Sequence, residues 1–166
     1  MVKTLYSISV LMLLLIINYG CATNVVMQQK LPSEYAKQSN IKHYDVSYKP
    51  DISVSDKLKN LLDEKFTRKI SEINRGRSNK NIYLTIEIDK VDIADKGATL
   101  LAGAFVGNNS LHGSVTIFDY ETKNSIGKYR IEADRNYGGY SAFFDLEDKI
   151  TEEFATQVLN QLSSSE

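Results

Sequence analysis

"SLHGSVTIFDYETKNSIGKYRIEAD", residues 110–134, decides the fold class. Leu111, Gly113, Val115 and Ile117 fall on one face of a strand, while Ser114, Thr116 and Phe118 fall on the other. Glu121 to Asn124 form a polar turn, and Gly127, Tyr129, Ile131 and Ala133 return along the first face. Period-two alternation on both sides of a polar turn predicts an antiparallel hairpin.

Immediately upstream, "NIYLTIEIDKVDIAD" (81–95) places Ile82, Leu84, Ile86 and Ile88 on one face. Val91 and Ile93 then continue on odd numbers. One extra residue near Asp89–Lys90 restores the facing, so the pattern predicts a β-bulge or bend there. Further upstream, "HYDVSY" (43–48) alternates and reads as a strand.

Two segments have helical spacing instead. In 54–74, Val54, Leu58, Leu61, Leu62, Phe66, Ile70 and Ile73 form one apolar stripe. Ser53 or Ser55 suits the N-cap, Asp56 the positive end of the dipole, and Gly76 a left-handed C-cap. In the final segment, Leu146, Ile150, Phe154, Val158 and Leu162 recur every four residues, with Ala155 and Leu159 beside them.

The order β-α-β-β-β-α predicts an α+β fold, a two-layer sandwich with a largely antiparallel sheet. Two helices with one stripe each would cover one sheet face. The other face, bearing Tyr83, Thr85, Glu87, Thr116 and Phe118, would meet water or a partner.

The N-terminus carries a different signal. Residues 1–20 hold one charge, Lys3, then an apolar run from Leu5 to Ile17. Such a run matches a signal-peptide core of roughly 7–15 residues and is shorter than the about 20 needed to span a bilayer. It stops at Gly20-Cys21-Ala22-Thr23, where Cys21 is the single cysteine. A small residue followed by cysteine directly after an apolar core resembles a bacterial lipoprotein processing site. The resemblance implies cleavage between Gly20 and Cys21 and lipid, palmitate included, on the Cys21 thiol. Asn18 and Tyr19 depart from the aliphatic residue usual three places before the cysteine. Ala22 in place of Asp resembles the pattern of an outer-membrane destination. The predicted organisation is a signal peptide at 1–20, a lipidated cysteine and polar tether at 21–42, and one α+β domain at 43–166. Within the tether, Val25-Val26-Met27 is the one stretch with strand character.

Composition narrows the function classes. The chain has 166 residues, 42% hydrophobic and 25% charged, with a formal net charge of −1. It offers no basic field for nucleic acid. One cysteine excludes an intramolecular disulfide, and two separated histidines, His43 and His112, exclude a histidine-rich metal site. Asp89, Asp92 and Asp95 recur every third residue, but the run lacks the glycine and closing glutamate of a calcium loop. There is no nucleophile elbow, zincin motif, phosphate loop or dinucleotide fingerprint. The sequence carries no pattern that assigns a catalytic residue, a metal or a cofactor.

Two segments stand out as candidate contact surfaces, the alternatives being a small-residue loop packed beneath the helices for the first and a turn into the last helix for the second. "GATLLAGAFVG" (97–107) is uncharged, with Leu100, Leu101, Phe105 and Val106 as its large apolar groups. "NYGGY" (136–140) sets Tyr137 and Tyr140 around paired glycines.

The lipobox-like cysteine, polar segment, Gly/Ala-rich stretch, hairpin and last amphipathic helix together resemble small Gram-negative lipoproteins of unknown function. Over about residues 43–162 the domain resembles those of the curli-secretion and penicillin-binding-protein-activator lipoproteins. The resemblance implies a non-enzymatic role, in assembly or in contact with another envelope protein, and the whole reading is of an outer-membrane lipoprotein facing the periplasm. Its partners would be the membrane, through the lipid, and a protein partner or further copies of itself. A subunit of a secretion pore, or an envelope glycan or peptide hydrolase, are the alternatives.

Overall fold

The hairpin forms as the alternation predicts. In the computed structural model, which describes residues 22–36, 39–74, 80–93, 109–135 and 145–163, β4 (Asn109–Asp119) pairs antiparallel with β5 (Ser125–Arg135). The turn between them is fixed by Asp119. Its Oδ1 accepts the Thr122 N–H at 2.6 Å, the Thr122 hydroxyl at 2.8 Å and the Glu121 N–H at 3.1 Å. Lys123 takes the left-handed backbone conformation that closes the turn (φ 60°).

The remaining elements are β1 (Ala22–Gln29), β2 (Ser39–Tyr48), α1 (Asp56–Ile73), β3 (Lys80–Asp92) and α2 (Leu146–Ser163). The five strands run β1-β5-β4-β3-β2 across one sheet. Only β2 and β3 are parallel, because α1 carries the chain back to the starting end between them. The architecture is the expected α+β sandwich. The bulge expected near Asp89–Lys90 appears as a register shift between Ile88 and Lys90.

One element differs from the sequence reading. The 22–42 stretch, which reads as a polar tether, supplies β1, paired with β5 from Ala22↔Asp134 to Gln29↔Lys128. Leu31, Tyr35 and Ala36 follow it into the core. β1 is an edge strand held mainly by its backbone ladder, so it needs few apolar side chains. Leu31 donates its N–H to the Tyr129 hydroxyl at 3.0 Å, and the Tyr35 hydroxyl donates to Asp119 Oδ2 at 2.7 Å. These bonds tie the stretch down where hydropathy gives no sign of it.

Both helices lie on one face. Ser55 caps α1 by accepting the Leu58 N–H at 3.0 Å. Leu58, Leu62, Phe66 and Ile70 are its buried stripe, whereas Leu61 is half-buried and Ile73 exposed. Asn74 ends the helix and also clasps β2, donating to the Ile41 carbonyl at 2.7 Å and accepting its N–H at 2.9 Å. Gly76 lies outside the described residues. In α2 every apolar position of the predicted stripe is buried. Thr151 joins them because its hydroxyl donates to the Glu147 and Asp148 carbonyls, at 2.7 and 3.0 Å.

Phe154 packs edge-on against Phe66 across the helix pair, with centroids 6.5 Å apart and planes at 86°. Beneath it Gly113 makes room: a Cβ there would stand 2.8 Å from the Glu87 carbonyl and 3.1 Å from the Phe154 ring. Outside the core, salt bridges link the helices. Lys65 reaches Asp148, and Lys69 and Arg68 both reach Glu152, each at 2.6 Å.

Candidate functional site: the uncovered sheet face and its edges

The face away from the helices has two unlike halves. Near the β4–β5 turn, Tyr83 of β3 stacks on Phe118 of β4, with centroids 4.6 Å apart and planes 6° from parallel. The two residues are register partners, so the pleat brings their rings together. Lys123 holds its ammonium 5.4 Å from the Tyr83 ring and 4.1 Å from that of Tyr120, a cation–π arrangement. Thr85 and Thr116, also paired, lie beside this stack.

Toward the opposite end the face becomes ionic. Arg130 of β5 forms a two-pronged pair with Asp89, whose side chain is only 8% exposed, and also reaches Glu132 at 2.9 Å. Asp89 follows Tyr83, Thr85 and Glu87 on this face of β3, at the register shift between Ile88 and Lys90. Asn24 of β1 donates to Glu132 at 3.3 Å. The hydrogen bond from Arg130 holds both Asp89 and Glu132 below the usual carboxylate range, although burial opposes it.

Beside them Asp134 accepts from Ser110 at 2.5 Å and lies 2.9 Å from His112 Nε2. Burial pushes Asp134 upward, but the Ser110 and His112 bonds and nearby positive charge prevail, and its pKa is lowered. Serine, histidine and aspartate are thus together, yet not as a nucleophile relay. The Ser110 proton is directed at the carboxylate and not at the imidazole, so His112 does not activate that hydroxyl. Among the described residues, no three His, Cys, Asp or Glu are placed to hold a metal ion.

His112 is buried, while His43 stands exposed on β2 beside Asp45. Sequence reasoning named Tyr83, Thr85, Glu87, Thr116 and Phe118 for this face but missed the network of Asp89, Arg130, Glu132 and Asp134. Its signal is present in β5, where Lys128, Arg130, Glu132 and Asp134 occupy consecutive positions of one face.

Along the free edge of β2 runs a groove between that strand and α1. Two adjoining hollows, about 410 and 300 Å³, share His43 and Tyr44. Tyr44 forms the floor, its hydroxyl donating to Asp63 at 2.6 Å and sitting 2.8 Å from Thr67. Burial, helped by Asp63, raises its pKa.

Gly20, Cys21, Leu100, Leu101, Phe105, Val106, Tyr137 and Tyr140 lie outside the described residues. The strand ends next to them are well placed, however. Ala22 pairs with Asp134, Asp92 with Ser110, and Asn109 with Arg135. All three segments therefore join the sheet at its ionic end, away from the β4–β5 turn. There Glu153 of α2 holds the start of β1, accepting from the Thr23 hydroxyl and pairing with Arg135 at 3.3 Å. Among the described residues no helix is long and apolar enough to cross a membrane.

No family model matches the sequence, and no curated protein is similar to it. Solved structures are similar in fold. PelC from Paraburkholderia phytofirmans, solved as a dodecamer, superposes with a TM-score of 0.51 at 10% identity, over 87% of this chain and all of that one. The XCC0632 protein of Xanthomonas campestris gives 0.48 at 7% identity, over 81% of this chain and 90% of the other. A minor lipoprotein from Acinetobacter baumannii gives 0.35 at 16% identity, over 73% and 90%. The likeness to PelC is one of fold.

Proposed function

We propose that this chain is a lipid-anchored, non-enzymatic protein of the bacterial cell envelope that assembles with copies of itself. The observation that carries this reading is the convergence at one end of the sheet. Cys21 immediately precedes β1, and the segments 94–108 and 136–144 join the sheet at that same end. A lipid on Cys21 would hold this end against a bilayer. It would bring Leu100, Leu101, Phe105, Val106, Tyr137 and Tyr140 to the same surface as contact residues. Each buried lipid CH₂ contributes ~0.8 kcal/mol, and lasting attachment takes at least two chains. A triacylated cysteine, formed after cleavage between Gly20 and Cys21, meets that need. Ala22 favours the outer membrane, with the domain in the periplasm. The dodecameric state of PelC supports self-assembly.

The test is metabolic labelling with a lipid precursor in a Gram-negative host, comparing wild type with Cys21→Ser, followed by membrane fractionation and sizing in detergent. Label and membrane retention should both be lost in Cys21→Ser, and the wild type should extract as a species of fixed size above the monomer. Unlabelled wild type would overturn the anchor, and a monomeric extract would overturn self-assembly.

A further inference from the structure

The two edges of the sheet are unlike, and the difference points to how copies join. β1, "ATNVVMQQ", is an edge strand of eight residues without a charge or a proline, so that, although its register against β5 shifts between Met27 and Gln29, no charge guards it. Natural edges are usually guarded by charge, proline or a bulge, because an unguarded edge is a template for another strand. β1 leaves Val26 43% and Met27 53% exposed. The opposite edge, β2, carries Lys42 and Asp45 and is bulged between Ile41 and His43. It borders the groove along α1, where Tyr44, Val46 and Tyr48 are only half-covered.

The topology relates the two edges. β2 runs parallel to β3, and three antiparallel steps lead from β3 through β4 and β5 to β1. β1 therefore runs opposite to β2. If the sheet of one copy continues into the next with strand direction kept, β1 of one meets β2 of the other antiparallel. The helix-covered faces then stay on one side. Met27 pairs with Tyr129, so it projects toward the helix side, the side on which the groove opens. An eight-residue strand spans about 27 Å, matching the stretch from Ile41 to Tyr48 that lines the groove.

We propose that β1 of one copy adds antiparallel to the free edge of β2 in the next copy, seating Met27 in the groove between β2 and α1. This rests on the self-assembly reading above and specifies its interface. The contact is head-to-tail, which gives a ring when the rotation between copies closes, whereas pairing of β1 with β1 would stop at two copies and leave the groove open.

The test uses the full-length chain, extracted from membranes in detergent, with benzoylphenylalanine at position 27. Ultraviolet adducts are mapped by mass spectrometry. The expected adduct joins position 27 of one copy to residues 41–48 or 59–74 of another. Met27→Lys should weaken assembly by about tenfold or more, because it adds a guarding charge to the edge. Its thermal melt as a monomer should match that of wild type. The photoprobe keeps a large apolar group at position 27, so it reads the contact even if the lysine variant folds poorly. A wild-type oligomer whose adducts map to β1 of a second copy or to another protein overturns the interface alone, as does a folded Met27→Lys that assembles normally. A monomeric wild type overturns the self-assembly reading together with the interface.

Discussion

On the helix-covered side of β3, Ile82, Leu84, Ile86 and Ile88 are closed to solvent. One residue along the same strand, Tyr83, Thr85 and Asp89 are half-buried and Glu87 is exposed. The covered face is held by apolar burial, which is non-directional and grows with area removed from water. The other face is held by directed contacts: a stacked ring pair at one end and a carboxylate–guanidinium network at the other. Such contacts add little net stability but fix geometry. Truncations should therefore cost most on the first face and mismatched charge most on the second.

The largest effect should come from Phe154→Ala. Phe154 is fully buried between Phe66 and Gly113, and deleting a core phenylalanine costs about 3–5 kcal/mol. Denaturant titration would measure it, with the midpoint moved and the slope unchanged. A loss under about 1 kcal/mol would mean that α2 does not close the covered face and would break the comparison.

Next in size is the Asp89–Arg130 pair. Breaking a buried pair from one side costs about 3–5 kcal/mol, and the partial exposure of Arg130 reduces that to about 2 for Asp89→Ala. The double change Asp89→Leu with Arg130→Met should recover to within about 1 kcal/mol of wild type, because apolar replacements remove both desolvation costs. If the double variant is as unstable as the two single losses together, the network contributes net stability. The two faces would then differ less than their chemistry suggests.

How much of this could be read in advance follows the same division. The covered face was legible because burial writes itself as periodicity, at two residues in Ile82 to Ile88 and at four in Leu146 to Leu162. Even the bulge showed, since it displaces that period by one residue between Ile88 and Val91. β1 showed only as the short run Val25-Val26-Met27, because backbone pairing, more than side-chain burial, holds an edge strand. The Asp89–Arg130 pair was hidden because it joins residues 41 apart in sequence whose strands are separated by β4. The Tyr83–Phe118 stack needed only the correct register, but register is a property of two strands and neither records it alone.

The smallest effect lies at the rim of the covered face and shows only at extremes of pH. Asp119 sits at the end of β4 on the helix side. The Thr122 N–H, the Tyr35 hydroxyl and the Thr122 hydroxyl hold its pKa down from 3.8 to about 2. A depressed carboxylate stabilises the fold fully above its unfolded value, and that contribution is lost as pH falls through about 2. Tyr35, bonded to Asp119 and partly desolvated, is pushed up from 10.0 to about 12. A raised phenol contributes fully below 10.0, and the contribution is lost as pH rises through about 12. Asp119→Asn should therefore flatten the acid limb of a plot of melting temperature against pH and leave no added slope near neutrality. Tyr35→Phe should remove the alkaline loss. It should also return Asp119 toward its ordinary value, so the acid limb shrinks as well. A Tyr35→Phe variant that loses only the alkaline limb would show that the turn, through the Thr122 N–H and hydroxyl, sets Asp119 by itself. The 31–36 segment would then be held by the burial of Leu31 and Ala36, like the rest of the covered face.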